Sequence, residues 1–517
     1  MEQREAETGA QQEVVAFLTQ PQAYGGAADE VTRIDTHIST VFLAGDRAYK
    51  MKRAVRYDYL DYLGLERRRR FCEAEVALNR RTAPALYRGV VAVTRDADGT
   101  LHLGGAGAPV EWLVEMARFD QDSLFDRMAM AGRLTPALLN ALADEVAAFH
   151  VLAKRVTDRS GAEVMRWVVS GNVEEIAERT PAIFASGSVS SLKDRTALAL
   201  RDAGPLLDAR SAAGRLRHCH GDLHLRNICL HDGTPTLFDG IEFNEAISVI
   251  DVLYDLAFLL MDLEHRGHRD YANLVFNRYL AMTEELDGLP ALALFLSCRA
   301  AIRAHTTAAA ADAQTDPAAA SDLEAEARAY LDLAAAFLDR PAPRLIAIGG
   351  LSGTGKSTLA QRIAPLIGCR PGALLLRSDV TRKRLFGVAP EEALDAAAYT
   401  LEHSARVYAR LQSEVAQALA AGYSVIVDAV FARADERVAI ERIALDAGVS
   451  ATGLWLDAPP EILRARVTGR TGDASDADAA VVRQQLSYDT GPMEWQRVDA
   501  GGGADDTFAA VMAAIKT

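Results

Sequence analysis

RLIAIGGLSGTGKSTLAQRIAPLIG, residues 344–368, is the stretch whose reading decides the fold. An apolar run is followed by a glycine-bearing turn and then by apolar residues at helical spacing, so it reads as strand, loop and helix. Gly350, Gly355, Lys356 and Ser357 fit the pattern G-x-x-x-x-G-K-[ST], with the strand before it and the helix after it that the motif requires. The glycines let backbone N–H groups wrap a phosphate, and the helix N-terminus adds the positive end of its dipole. Lys356 reaches the outer phosphate oxygens and the Ser357 hydroxyl ligates Mg²⁺. Gly350, Gly353, Thr354, Gly355, Lys356, Ser357 and Thr358 are therefore candidate nucleotide-binding residues, with Lys356 also catalytic.

Outward from this loop, ALLLRS, SVIVDAVF and TGLWLDAP are apolar runs separated by helical patterns, the alternation of a parallel sheet covered on both faces. Two carboxylates fall at predicted strand ends. Asp428 is assigned to the metal and Asp379 to accepting a proton from a substrate hydroxyl, although Asp379 also suits a helix cap. Arg464, Arg466 and Arg470 share one helical region before the loop TGDASDADAAVVRQQ, and Arg466 and Arg470 are read as lid cations over the transferred phosphate.

Upstream, DRPAPR at 339–344 stops a helix with two prolines and reads as a linker. It divides a domain at 1–338 from one at 345–517. The first reads as a small lobe to about 117 and a large, mostly helical lobe to 338, with the alanine-rich 300–338 stretch a solvated helix pair. In the small lobe, ISTVFLAG and DRAYKMKRAV form strands joined at Gly45 and Asp46, followed by the helix LERRRRFCEAEVAL. The polar segment at 215–243 contains HGDLHLRN, residues 220–227, and then Asp239 in LFDGIEF. The spacing from Asp222 to Asn227 and on to Asp239 matches a catalytic aspartate with an amide and a carboxylate that hold metal. Lys50 has the apolar neighbours of a lysine that grips phosphates, Lys52 shares its strand face, and Glu73 or Glu75 is the partner on the helix. No glycine-rich loop covers the phosphates, since the turn offers only Gly45. Glu115 and Met116, ending WLVEM, are placed where backbone would meet adenine. Asp251 and Asp255 read as structural carboxylates at a helix start, and His220 as a brace for the catalytic loop.

The chain has 517 residues, half of them hydrophobic, enough for several cores. Its net charge of -15 argues against nucleic acid or anionic membrane as partners, and residues 1–340 carry most of it, with 37 Lys and Arg against 50 Asp and Glu. Five scattered cysteines read as reduced thiols of the cytoplasm, and neither a signal peptide nor a membrane span is evident.

On GLSGTGKST, RSD, VIVDA, LDAP and RARVTGR, residues 341–517 resemble the small P-loop kinases of the gluconate-kinase, shikimate-kinase and polynucleotide-kinase kind. On AYKMKRAV, CEAEVALNRR, VEM, HGDLHLRN, LFDGIEF and DVLYDLAFLL, residues from about 30 to 305 resemble the aminoglycoside phosphotransferase and choline-kinase family, whose fold is the two-lobed α+β one of protein kinases. The arrangement of both is similar to that of bacterial bifunctional aminoglycoside phosphotransferase/ATP-binding proteins. The resemblance implies Mg²⁺-dependent transfer of a phosphoryl group from ATP or GTP to a small hydroxylated acceptor in each half. Two other readings stay open: one half a nucleotide-binding regulatory or scaffold module, or the P-loop half a polynucleotide 5′-kinase using the short basic patch at 382–384.

Overall fold

The computed structural model describes residues 2–57, 60–469 and 474–516. It divides into two compact units, residues 1–164 with 210–259, and residues 165–209 with 260–517.

The first unit is organised by an antiparallel sheet of six strands, β1 (Val31–Asp35), β2 (Ser39–Ala44), β3 (Arg47–Lys52), β4 (Tyr87–Arg95), β5 (Leu101–Leu103) and β6 (Ala108–Ala117), in the order β1-β2-β3-β6-β4-β5. Side chains two apart share a face. Leu43 and Ala48 therefore meet Cys72 and Val76 of helix α2 (Leu65–Asn79), while Phe42, Tyr49 and Met51 meet Val14 and Leu18 of the N-terminal helix α1 (Glu2–Leu18). Both faces are covered. β1 escaped the sequence reading because four of its five residues are exposed and give no apolar alternation.

Helix α3 (Pro136–Leu152) starts as expected, with the Thr135 hydroxyl accepting from Leu138 N–H at 3.3 Å and proline in the first turn. Two short antiparallel ribbons then frame the polar segment. β7 (Leu216–His218) pairs with β10 (Val249–Asp251), and β8 (Ile228–His231) forms a hairpin with β9 (Thr234–Leu237). Helix α4 (Val252–His265) follows β10 directly.

The second unit holds a five-stranded parallel sheet, β11 (Arg344–Gly350), β12 (Leu374–Arg377), β13 (Val425–Asp428), β14 (Ser450–Asp457) and β15 (Gln496–Asp499), in the order β12-β13-β11-β14-β15. Ile346, Ile348, Ile426 and Leu454 pack with Ile363 of α8 (Lys356–Ile363) and with Val511 and Ile515 of the C-terminal helix α12 (Ala504–Lys516), α8 and α12 being numbered in order with the helices below. Strands buried on both faces read as unbroken apolar runs, which is why this sheet was visible in the sequence. Among the other helices are α5 (Arg269–Thr283), α6 (Leu289–Asp312), α7 (Pro317–Phe337), α9 (Ser378–Leu385), α10 (Leu401–Ala420) and α11 (Pro460–Thr468).

The alanine-rich pair α6 and α7 is not solvated as the sequence reading expected. Ala300, Ala301, Ala304, Ala308 and Ala311 of α6 are buried, as are Ala327, Tyr330, Leu331, Ala334 and Phe337 of α7. Small side chains let these helices pack closely, and a run that looks bland in composition is core. By compactness, α5–α7 belong to the unit that contains the parallel sheet. No described helix is long and apolar enough to cross a membrane, and all five cysteines are unpaired and buried.

Candidate active sites

In the first unit, β3 places Lys50 and Lys52 on the same face, towards α2. Lys50 Nζ bonds Glu75 Oε1 at 2.9 Å and pairs with the Asp239 carboxylate. Lys52 Nζ bonds the other oxygen of Glu75 at 2.6 Å, pairs with Glu242 and lies 3.3 Å from the Tyr62 hydroxyl, which itself donates to Glu242 at 2.9 Å. Glu75 is fully enclosed, whereas Glu73 faces solvent and pairs with Arg69. The geometry thus selects Glu75 over Glu73 and gives both lysines to it. Burial alone would push the Glu75 pKa up, but the two ammonium groups outweigh it and hold it down to about 2. Burial raises the Glu242 carboxyl despite Lys52. Lys50 touches the candidate metal carboxylate; Lys52, 1% exposed, braces the other side of Glu75.

The segment after β7 is held from behind. The Asp255 carboxylate on α4 accepts from the N–H groups of His220 at 3.0 Å and Gly221 at 2.9 Å, and lies 3.1 Å from His150 Nε2. Gly221 needs to be glycine, since it sits at φ 83° with Ile241 and the Ile247 carbonyl around the position a Cβ would take. His220 Nδ1 accepts from Asp222 N–H at 3.3 Å, so Nε2 carries the proton and donates to the Phe238 carbonyl at 2.9 Å. Burial lowers the His220 pKa and favours this neutral form. Asn227 Nδ2 donates to the Asp222 backbone oxygen and to Asp222 Oδ2, both at 2.9 Å. Phe238 N–H donates to the Asn227 carbonyl at 3.0 Å, which brings Asp239 alongside. Asp222, Asn227, Asp239, Lys50 and Glu75 therefore form one constellation drawn from four separate stretches of chain.

Glu115 and Met116 are among the last three residues of β6. They stand opposite Tyr49 and Ala48 of β3 on one side and Gly89 and Tyr87 of β4 on the other, and the strand continues to Ala117. The Glu115 side chain pairs with Arg47. The sequence reading missed the turn at 36–38 between β1 and β2, because β1 itself was not recognised. That turn carries His37, whose pKa burial and Arg53 lower while the nearby Asp222 charge raises it.

In the second unit, β11 runs straight into the glycine loop. Lys356 Nζ donates to the Gly350 carbonyl at 2.8 Å and the Leu351 carbonyl at 3.0 Å. Gly353, at φ 88°, lies so close to α11 that a Cβ would stand 2.6 Å from the Leu463 carbonyl. The Thr354 hydroxyl donates to Leu351 O at 2.8 Å, while Gly355 and Thr358 face solvent at the start of α8. Ser357 Oγ donates to Asp428 Oδ2 at 2.6 Å, at the buried end of β13. Asp379 is in the first turn of α9. Burial, and then the Asp428 charge, push its pKa up, with a Ser475 hydrogen bond acting the other way. Arg466 donates to the carbonyls of Ala500 at 2.8 Å and Gly502 at 2.9 Å, and Arg470 lies outside the described residues. Of the basic run at 382–384, Arg382 bonds the Ala398 carbonyl, Lys383 both oxygens of Asp476, and Arg384 pairs with Glu414 and Glu284. Those cations are committed to the protein's own groups. Ser475 and Asp476 have no motif in the sequence; only the carboxylate-rich character of TGDASDADAA hints at them.

Both candidate metal sets, Asn227 with Asp239 and Ser357 with Asp428, are hard oxygen donors, which suit Mg²⁺. Residues 64–295 match the model of the phosphotransferase enzyme family, and residues 345–492 match that of an AAA domain. An uncharacterised protein of Mycobacterium tuberculosis and another of Mycobacterium bovis are each 30% identical to this chain over 481 residues, 90% of this chain and 92% of theirs. The chain belongs to the family that fuses an aminoglycoside-phosphotransferase-like domain to a P-loop kinase domain. This fused kinase is also similar to a gluconokinase from Sinorhizobium meliloti, at 20% identity over 34% of this chain and 94% of that one, with a TM-score of 0.26. A choline/ethanolamine kinase family protein from Mesorhizobium loti matches at 14% identity over 64% and 99% of the two chains, with a TM-score of 0.37. Both domains of the fused protein belong to kinase and phosphotransferase families.

Proposed function

We propose that the protein is a bifunctional small-molecule kinase in which each domain transfers the γ-phosphoryl group of ATP or GTP to a hydroxyl of a small polar acceptor of sugar, aminoglycoside or polyol type. The observation that carries this is that each half holds its own complete set: Lys50, Asp222, Asn227 and Asp239 in one, Lys356, Ser357, Asp379 and Asp428 in the other. In each site the acceptor oxygen forms a bond to the γ-phosphorus as the bond to the leaving diphosphate oxygen breaks, and the acceptor proton passes to a carboxylate, Asp222 or Asp379. Mg²⁺ at Asn227 and Asp239, and at Ser357 and Asp428, would neutralise triphosphate charge. Asp255 fixes the backbone beneath Asp222, Asn227 orients its carboxylate, and Glu75 holds Lys50 in reach of the phosphates. The raised pKa of Asp379 makes it a better proton acceptor than an ordinary aspartate. The acidic first part of the chain favours a cationic acceptor there. The reading includes a cytoplasmic location, supported by five unpaired cysteines.

The test is a mass-spectrometric phosphorylation screen of sugars, aminoglycosides, polyols and nucleosides with the wild type, Asp222→Ala and Lys356→Ala. Each substitution should remove a different set of products. If neither alters any nucleotide-dependent product, the reading fails; if one set never forms, that half is a nucleotide-binding regulatory module instead.

A further inference from the structure

The parallel sheet has an edge at β12, which among the described residues pairs only with β13. Leu374 N–H points inward and donates to the Ser424 carbonyl at 2.9 Å, so by strand alternation the carbonyl of Ala373 and the N–H of Leu375 point outward. Both outward groups are taken by one side chain of α5. Asn277 Oδ1 accepts from Leu375 N–H at 2.7 Å, and Asn277 Nδ2 donates to the Ala373 carbonyl at 3.2 Å. A side-chain amide thus reproduces the pair of hydrogen bonds a neighbouring strand would make. Asn273, one turn earlier and buried, donates to the same Ala373 carbonyl at 3.1 Å. The fit is close enough that a Cβ on Gly372 would stand 2.7 Å from Asn273 Nδ2.

A second tie lies at the end of α5. Glu284, its C-cap residue, adopts the left-handed conformation at φ 57°, where glycine is the residue expected. Its carboxylate lies 3.1 Å from Arg384 Nε of α9 and 3.0 Å from Arg410 Nη2 of α10. Arg278 adds a two-pronged contact to Glu391, at 2.6 and 3.2 Å. One helix therefore holds the strand that leads into Asp379 and the helix that bears it. In sequence, α5 lies inside the segment that matches the phosphotransferase family, 64–295, and not inside the AAA match, 345–492.

We propose that α5 is a working part of the P-loop site, with Asn277 and Glu284 as positioning residues that set β12 and α9 and hence Asp379. The proposal rests on the reading of Asp379 as the acceptor-facing carboxylate. It means that the second activity depends on a helix that in sequence falls within the phosphotransferase match, although by compactness it belongs to the unit of the parallel sheet.

The test uses the full chain carrying Asn277→Ala, Asn277→Asp or Glu284→Gly. Hydrogen exchange followed by mass spectrometry on peptides spanning 373–377 and 425–428 reads the strand edge, and the Lys356-dependent part of ATP turnover reads the site. Asn277→Ala should speed exchange at 373–377 about tenfold or more, leaving 425–428 unchanged. It should lower the Lys356-dependent kcat about tenfold with the KM for ATP unchanged, because a shifted carboxylate costs rate rather than nucleotide binding. Asn277→Asp keeps the acceptor for Leu375 N–H and should fall between. Glu284→Gly suits its φ, so it should keep the fold while lowering the same kcat. Unchanged exchange in Asn277→Ala, or faster exchange with kcat unaltered in both Asn277→Ala and Glu284→Gly, overturns the proposal. Wild-type protein with no Lys356-dependent turnover sinks the catalytic reading, while the exchange result still decides whether Asn277 pins the strand.

Discussion

Lys50 meets two carboxylates, Glu75 and Asp239, whereas Lys356 meets two backbone carbonyls, Gly350 and Leu351. The first site balances its charges with side chains 25 and 189 residues away in sequence. The second is shaped by its own loop, with glycines where no Cβ fits. Two solutions to holding a triphosphate thus have different weak points. The first is vulnerable to removing a charge as well as to a Cβ at Gly221, and the second to adding a carbon atom to its loop.

That contrast orders the expected effects. Asp222→Ala should cost the first activity about 10²–10⁴-fold in kcat while leaving Lys356-dependent products untouched, read from initial rates. Loss of both product sets together would break the picture of two separate sites. Gly353→Ala should lower the second activity about 10²-fold, since the new Cβ would crowd the Leu463 carbonyl.

For stability, Lys52→Met leaves Glu242 and one oxygen of Glu75 buried without their cation. Thermal or denaturant unfolding should show a loss of about 3–5 kcal/mol in the first unit. Lys356→Met, whose lysine donates to the Gly350 and Leu351 carbonyls, should cost less, about 1 kcal/mol. Equal losses would remove the distinction between the two designs.

The smallest effect expected is on pH dependence. The Asp379 pKa is raised by burial and by Asp428, so as pH falls the second activity should fade at higher pH than an ordinary aspartate would dictate. The same shift costs stability as pH rises: below the ordinary Asp value nothing is lost, and the loss grows until the raised folded-state value is passed. Asp379→Asn should therefore unfold at a higher temperature than wild type at neutral pH, with the gap closing towards about pH 3–4. A gap that is unchanged across that range would contradict the shift.

How much was legible follows from the same contrast. A loop whose ligands are contiguous, GLSGTGKS, can be read directly, and strands buried on both faces announce themselves as apolar runs. The dispersed site was legible as residue types and spacings, yet not as pairings. Choosing between Glu73 and Glu75 needs the rotation of α2, and the joint hold of Lys50 and Lys52 on Glu75 needs the sheet. Asp255 was recognisable as a structural carboxylate at a helix start, but its partners, the N–H groups of His220 and Gly221, lie 35 and 34 residues away. β1 was hidden by its exposure and the core role of α6 by its alanines. Asn277 carries no sequence signal at all, because an asparagine on a helix means little until an unpaired strand edge lies beside it.

On the proposed function the chain carries two nucleotide sites, one in each half. Isothermal titration calorimetry of the full chain with a non-hydrolysable ATP analogue and Mg²⁺ tests it most directly. Two nucleotides per chain are expected, one after Lys356→Ala, one after Asp239→Ala, and none in the double variant. A single nucleotide in the wild type, abolished by one substitution and indifferent to the other, would contradict it.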